Sequence, residues 1–153
     1  MSFNAVLKFE DKEFTILHSE YDFTQPTNSE RQPIGRTVAG FINLTIETSN
    51  DALPIEWVIQ REMMRNGEIV FYRTDSHSVL RRIEFENAFC VYYKEIFDTY
   101  NDQPMVIMLR LSPQVMRIEG QSIMQEWTIA ASQSQSAPAA APSGSDSSSF
   151  IAD

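Results

Sequence analysis

Polar and apolar side chains alternate along most of this chain, and the longest such run lies between Leu80 and Ser112. Odd positions from Ile83 give Ile83, Phe85, Asn87, Phe89, Val91, Tyr93, Glu95 and Phe97, a mostly large and apolar set. A period of two predicts an extended strand with one face on a core. The other face, Glu84, Glu86, Ala88, Cys90, Tyr92, Lys94 and Ile96, is mixed, as suits solvent or a partner. Turn formers follow from Tyr100 to Pro104, and Met105, Ile107, Leu109 and Leu111 then resume the alternation. The segment therefore predicts a long β-hairpin or two successive strands.

Shorter runs repeat this pattern. Phe3, Ala5, Leu7 and Phe9 alternate with polar neighbours, Asp11-Lys12 makes a turn, and Phe14 to Phe23 resumes the extended pattern, which predicts a first hairpin. From Thr24 to Gly35 two prolines, a glycine and almost no apolar side chains predict a long exposed loop. Thr37 to Thr48 reads as a strand with Ile42, Leu44 and Ile46 on one face, and Ala39-Gly40 at its start suggests a bulge or a close backbone approach. One segment has helical character. Asn50 or Asp51 can cap it, Pro54 is tolerated in its first turn, and Asn66-Gly67 can close it, which predicts one helix over about residues 51–65. Ile69 to Tyr72 reads as a short buried strand, and Val115 to Ile118 and Ile123 to Ile129 as two more.

Trp127 is the last bulky anchor before composition changes. From Ser132 to Ser149 there are only Ser, Gln, Ala, Pro, Gly and one Asp, too little apolar surface to offset ordering entropy. The expected division is a β domain over residues 1–131 and a disordered Ser/Ala/Pro tail over 132–153. At 153 residues the folded part is one domain's worth.

Charge narrows the partners. Twelve Lys and Arg against twenty-one Asp and Glu leave −9, and no basic stripe is visible, which argues against nucleic acid. No window approaches the roughly twenty apolar residues of a membrane span, and the N-terminal residues do not read as a secretory signal. Synthesis as a soluble cytoplasmic protein is expected, with any export by a route that uses no cleaved signal. The single cysteine, Cys90, cannot form an internal disulfide.

Candidate chemistry is thin. His18 sits within a strand and His77 in the turn Asp75 to Ser78, and Asp, Ser and His adjacent in one turn cannot converge as a triad. Two histidines and one cysteine show no metal-ligand spacing, and five dispersed glycines form no phosphate loop. Glu84, Glu86 and Glu95 share a hairpin, and a solvated or interfacial strand face accounts for them better than an acid/base pair does. No catalytic residue, cofactor or metal is expected. What is left is a strand-rich domain whose edges must be covered, closed or used.

The order of motifs resembles the tube protein of type VI secretion systems, the hemolysin-coregulated protein family, and most closely its Bacteroidetes branch. The likeness begins with an MSFxAxLxF-like start, Phe14 to His18 after the turn, and Gly40 to Glu47. It continues with Glu56-Trp57, Asn66 to Phe71, Ile83 to Phe89, Tyr93 to Asp98 and Gln103-Pro104-Met105, and ends at Trp127. The resemblance implies a mainly β fold, a β-barrel-like sandwich of two antiparallel sheets with one helix, and no enzymatic activity. It implies hexameric rings stacked into a hollow tube that is sheathed, capped by a spike, assembled on a baseplate, expelled by sheath contraction and able to carry effectors in its lumen. Core anchors under this reading are Trp57, Phe71, Phe85, Phe89, Tyr93, Phe97 and Trp127. The loop matches the family's extended loop, which reaches a neighbouring subunit or ring, with Gln25, Pro26, Asn28, Glu30, Arg31 and Gln32 as the assembly residues. Two departures stand out, the long tail after Ala131 and Ser112-Pro113-Gln114 in place of an unbroken continuation. A related contractile injection particle or phage-like tail shares the architecture, and a monomeric ligand-binding β-barrel is the reading from another class.

Overall fold

A computed structural model describes residues 3–102 and 105–125 of the chain. The strands are β1 (Phe3–Phe9), β2 (Lys12–Glu20), β3 (Phe23–Thr24), β4 (Val38–Ala39), β5 (Ile42–Glu47), β6 (Met64–Arg73), β7 (Val79–Phe97), β8 (Met105–Ser112), β9 (Val115–Ile118) and β10 (Gln121–Met124). The helix α1 spans Leu53–Ile59. The main sheet runs β10-β9-β7-β6-β1-β2-β5-β8, and β8 pairs back onto β7, so six strands close into a barrel and β9-β10 are bonded outside it. Strands β3 and β4 form a separate two-stranded sheet.

Strand β7 makes closure possible because it is 19 residues long. Its first half pairs with β6 on one side and β9 on the other, and its second half, Phe89 to Phe97, pairs with β8. The barrel is filled by the alternating residues of its strands: Leu7, Phe9, Phe14, Ile16, Ile42, Leu44, Ile46, Ile69, Ile83, Phe85, Ile107, Leu109 and Leu111 are all buried. Removing this apolar surface from water is the main force holding the barrel together.

The expected alternation along β7 is broken twice. Asn87 adopts a left-handed φ of 52°, and the register shifts again between Cys90 and Tyr92. Each bulge moves the inward face by one residue. Ile83 and Phe85 are buried, then Ala88 and Cys90, and Tyr93 then packs against the core. Phe89, lying between two inward residues, faces the other way and is half-buried, and Val91 is exposed. Phe97 lies at the far end of the ribbon and is 66% exposed. Among the other expected anchors, Trp57 and Phe85 are buried and Phe71 packs partly buried against the core. Trp127 lies outside the described residues.

The helix is shorter than residues 51–65. The Asp51 carboxylate accepts the Leu53 N–H at 3.0 Å, but Gln60 is already extended and Glu62 has a φ of 60°. Met64 and Arg65 are drawn into β6 opposite Phe89 and Ala88. Gly67 is therefore a strand residue and not a helix stop. A Cβ there would come 2.6 Å from the Lys8 carbonyl and 2.8 Å from the tip of the Phe85 ring. Sheet pairing at a position where a neighbouring ring needs the space overrides a local cap signal.

Helix α1 contributes one buried anchor. Trp57 packs tilted against Phe9 at 4.8 Å and stacks on Phe85 at 6.3 Å between centroids, and its indole N–H donates to the Ala88 carbonyl at 3.0 Å. Arg65, 9% exposed, holds the helix from below. It pairs with Glu10 at 3.0 Å and faces Glu56 of α1 at 3.9 Å, with its guanidinium over the Phe9 ring. A buried cation needs such partners, since unpaired burial is costly.

Candidate assembly surfaces

The segment from Asp22 to Arg36 is exposed throughout, as its composition suggests, yet it is built as a hairpin. Phe23 and Thr24 pair with Ala39 and Val38, and a bridge joins Thr27 to Pro33. The tip is organised by Asn28, whose side-chain oxygen accepts the N–H groups of Glu30 at 2.9 Å and Gln32 at 3.0 Å. Short polar side chains that bond forward to the backbone are what Asx turns require. The Ile34 N–H donates to the Pro26 carbonyl at 2.9 Å, and Gln25 Nε2 to Thr37 Oγ1 at 2.8 Å. Arg31 takes the left-handed position of the turn, with a φ of 67°. Gln25, Pro26, Asn28, Glu30, Arg31 and Gln32 thus share one projecting arm. At its base Gly40 crosses Asp22 so closely that a Cβ would sit 1.9 Å from the carboxylate oxygen, and its N–H donates to the Asp22 carbonyl at 2.9 Å.

A second surface is the far half of β7. Beyond Phe89 that strand has β8 on one side only, and β10 pairs only with β9, so two different strand edges are open among the described residues. Val91, Ile96, Phe97 and Met108 are exposed on this ribbon. Arg110 joins the two surfaces. Its guanidinium lies 5.4 Å from the centroids of both Phe41, beside the hairpin base, and Tyr92, on the ribbon, and its Nε donates to Asn43 Oδ1 at 3.0 Å.

The residues considered for chemistry are scattered. His18 faces Glu20 at 3.7 Å at the exposed end of β2, and His77 occupies a turn with a φ of 51°. Glu86 is hydrogen-bonded to Arg117 at 2.6 Å, which favours the charged guanidinium. Glu95 accepts the Tyr93 hydroxyl. Burial, and then that hydrogen bond, push the Tyr93 phenol well above its ordinary value. Among the described residues no group of three His, Cys, Asp or Glu side chains could hold a metal ion. No described helix is long and apolar enough to cross a membrane. A ligand-binding barrel would line its pocket with the aromatics Phe71, Phe85, Phe89, Tyr93 and Phe97, but these do not converge: Phe85 is packed in the core, whereas Phe97 is exposed beyond it.

Cys90 is buried, and burial raises its thiol pKa from about 9.0 to about 11. In the folded state the reactive thiolate therefore forms only as pH approaches that value. Alkylation of native protein is expected to be slow at pH 8 and to accelerate toward pH 11, whereas urea-unfolded protein reacts readily at pH 8. Because the folded pKa is the higher one, the associated stability is present below about pH 9 and is lost as pH rises through about 11. Pseudo-first-order labelling followed by mass spectrometry checks this, and equal rates for native and unfolded chains at pH 8 would contradict it.

Comparison with known proteins identifies the family. A family model described as "Hemolysin coregulated protein Hcp (TssD)" matches residues 1–128. The chain belongs to the Hcp (TssD) family. It is a tube structural subunit of the type VI secretion kind and not an enzyme. The fold agrees with solved Hcp structures. Hcp1 from Flavobacterium johnsoniae superposes with a TM-score of 0.76 at 24% identity, covering 80% of this chain and 99% of that one. Hcp1 from Salmonella typhimurium gives 0.64 at 8% identity, covering 80% and 92%. A sheath/tube terminator structure of an extracellular contractile injection system, PVC, gives 0.54 at 14% identity, covering 75% and 92%. No match to the sequence is found among curated proteins.

Asn66, Asn87 and Gln114 carry sequence signals of another kind, a helix stop, a core-face position and a departure from the family pattern, whereas the structure joins them by hydrogen bonds, and Gln125 carries no signal at all. Asn87 is a polar residue at an expected core position, and a polar interruption of an apolar face is what a bulge produces. Nothing local marks the hydrogen bonds of the glutamines, because their partners come from distant strands.

Proposed function

We propose that this Hcp-family chain closes head to tail into hexameric rings, and that the rings stack into the inner tube of a type VI secretion machine. The observation that carries the proposal is the β3–β4 hairpin. An arm exposed from Asp22 to Arg36, with its own hydrogen bonds, is pre-organised for contact, so little conformational freedom remains to be lost on docking. The arm reaches a neighbouring subunit or ring through Gln25, Pro26, Asn28, Glu30, Arg31 and Gln32. The open edges of β7 and β10 suit a ring, because a heterologous interface joins two different patches. Residues 1–131 form the tube unit, and residues 132–153 form a tail dispensable for ring closure. The subunit waits in the cytoplasm and leaves without a cleaved signal when the sheath contracts. Sheath, spike and baseplate proteins are its machine partners, and effectors travel in the lumen. Negative-stain electron microscopy with light scattering tests this directly. Six-subunit rings and stacks are expected at high protein concentration, and a strictly monomeric protein would overturn it.

A further inference from the structure

Four arginines of the barrel have a carboxylate of their own chain beside them. Arg65 has Glu10, Arg81 has Glu119, Arg82 has Glu68 and Arg117 has Glu86, at 2.6 to 3.5 Å. Arg110 has none among the described residues. Its Nε is engaged by Asn43 Oδ1 and its flat group lies against Phe41 and Tyr92, which leaves the two terminal nitrogens without a described acceptor at an exposed position. Glu20 lines the same cleft, but Asn43 of β5 stands between it and Arg110 in the cross-strand row, and Glu20 faces His18 instead. A guanidinium held in this way is pre-organised for a carboxylate. Its fork matches two parallel N–H···O bonds, and little side-chain freedom remains to be lost on binding.

A matching acid stands at the opposite end of the same ribbon. In the turn that follows β7 the Asp98 carboxylate accepts the Tyr100 N–H at 2.9 Å and the Asn101 side-chain N–H at 3.2 Å. With Asp98 so engaged, the turn presents Asp102 and a Tyr100 that is 96% exposed. Neither reaches Arg110 of its own copy. Arg110 lies well along β8 from its first residue, Met105, a separation of roughly 17 Å at the rise of an extended strand. We infer that, when rings stack, the β7–β8 turn of one copy docks on the Arg110 end of the next, with Asp102 paired to the guanidinium and Tyr100 lying on Phe41.

This inference rests on reading the protein as a stacked-ring subunit, and it names the contact that stacking uses. Strand edges pair sideways and serve ring closure, whereas strand ends point along the remaining direction. Each copy carries one turn and one Arg110 end, so the contact joins two different patches and repeats without closing, as a tube requires. Two chains of net charge −9 repel each other. Since that repulsion is screened beyond about 8 Å at physiological salt, a short-range pair of opposite charges is what sets the register of the approach.

Charge reversal with mixing tests the contact. Arg110→Glu sets acid against acid in a stack of its own kind, and Asp102→Arg sets guanidinium against guanidinium. Each variant is expected to keep six-subunit rings and the parental circular dichroism, and to lose at least about tenfold in sedimentable tube mass. Mixing preformed rings of the two should restore tube mass to within about threefold of the parent, because in alternating order every junction regains one acid and one guanidinium. Tyr100→Ala keeps the ion pair and should lower tube mass about threefold. A charge variant that stacks as the parent does, or a mixture no better than its two components apart, would overturn the contact and leave the stacked-ring reading standing. If Arg110→Glu forms no rings, Arg110→Gln and Asp102→Asn replace the reversed pair, and parental tube mass from either would overturn the contact equally. A parent protein that forms no stacks would overturn both.

Discussion

Trp57→Ala is expected to cost about 3–5 kcal/mol of folding stability, the range for deleting a fully buried aromatic side chain. The indole is 1% exposed and packs between Phe9 and Phe85. Removing it leaves a cavity inside the barrel and deprives the Ala88 carbonyl of its 3.0 Å partner. That carbonyl lies directly after the Asn87 bulge, so the loss falls where β7 passes from β6 to β8. Since domains of this size have only about 5–15 kcal/mol in hand, much of the fold's margin would go. Urea unfolding monitored by circular dichroism is the measurement, using freshly isolated rings or monomers. Trp57→Phe should recover part of the loss, because it refills volume without restoring the donor. A midpoint unchanged by Trp57→Ala would mean that the helix is not an essential part of the core.

The second large effect is on assembly rather than stability. Deleting Asn28 to Gln32 and closing the gap with two glycines should leave the barrel intact, with its unfolding midpoint nearly unchanged, because every removed residue is exposed. Ring stacking should fall by at least about tenfold in tube mass, since a loss of only about 1.4 kcal/mol per contact already changes association that much. Sedimentation with electron microscopy measures tube mass, and circular dichroism measures the fold. An unfolded deletion variant would show that the arm supports the barrel. Unchanged tubes would remove it from the assembly surface.

The strand patterns were largely legible because a strand's inward residues recur with period two whatever the strand pairs with. Ile42, Leu44 and Ile46, and equally Ile107, Leu109 and Leu111, point inward as their spacing indicates. The exposed loop was legible too, since its prolines and polar residues have nothing to bury. The helix end was not. Asn66-Gly67 carries a local stop signal, and its actual use is to let the Phe85 ring approach a strand. Only a residue far along the chain could reveal that.

What the sequence determined by itself was therefore the composition of the core faces, the mainly β class, the absence of an evident catalytic constellation and, through the order of its motifs, the family. Tertiary structure alone decided the closure of the barrel through the two halves of β7, the inward face after each bulge and the amide hydrogen bonds between distant strands. The physical reason is one of range. Alternation and turn chemistry are set by neighbours a few residues apart, whereas strand partner, register and amide pairing depend on groups brought together by the fold. Gln125 and Ala39 are separated by 86 positions yet share one hydrogen bond. No local pattern encodes that meeting.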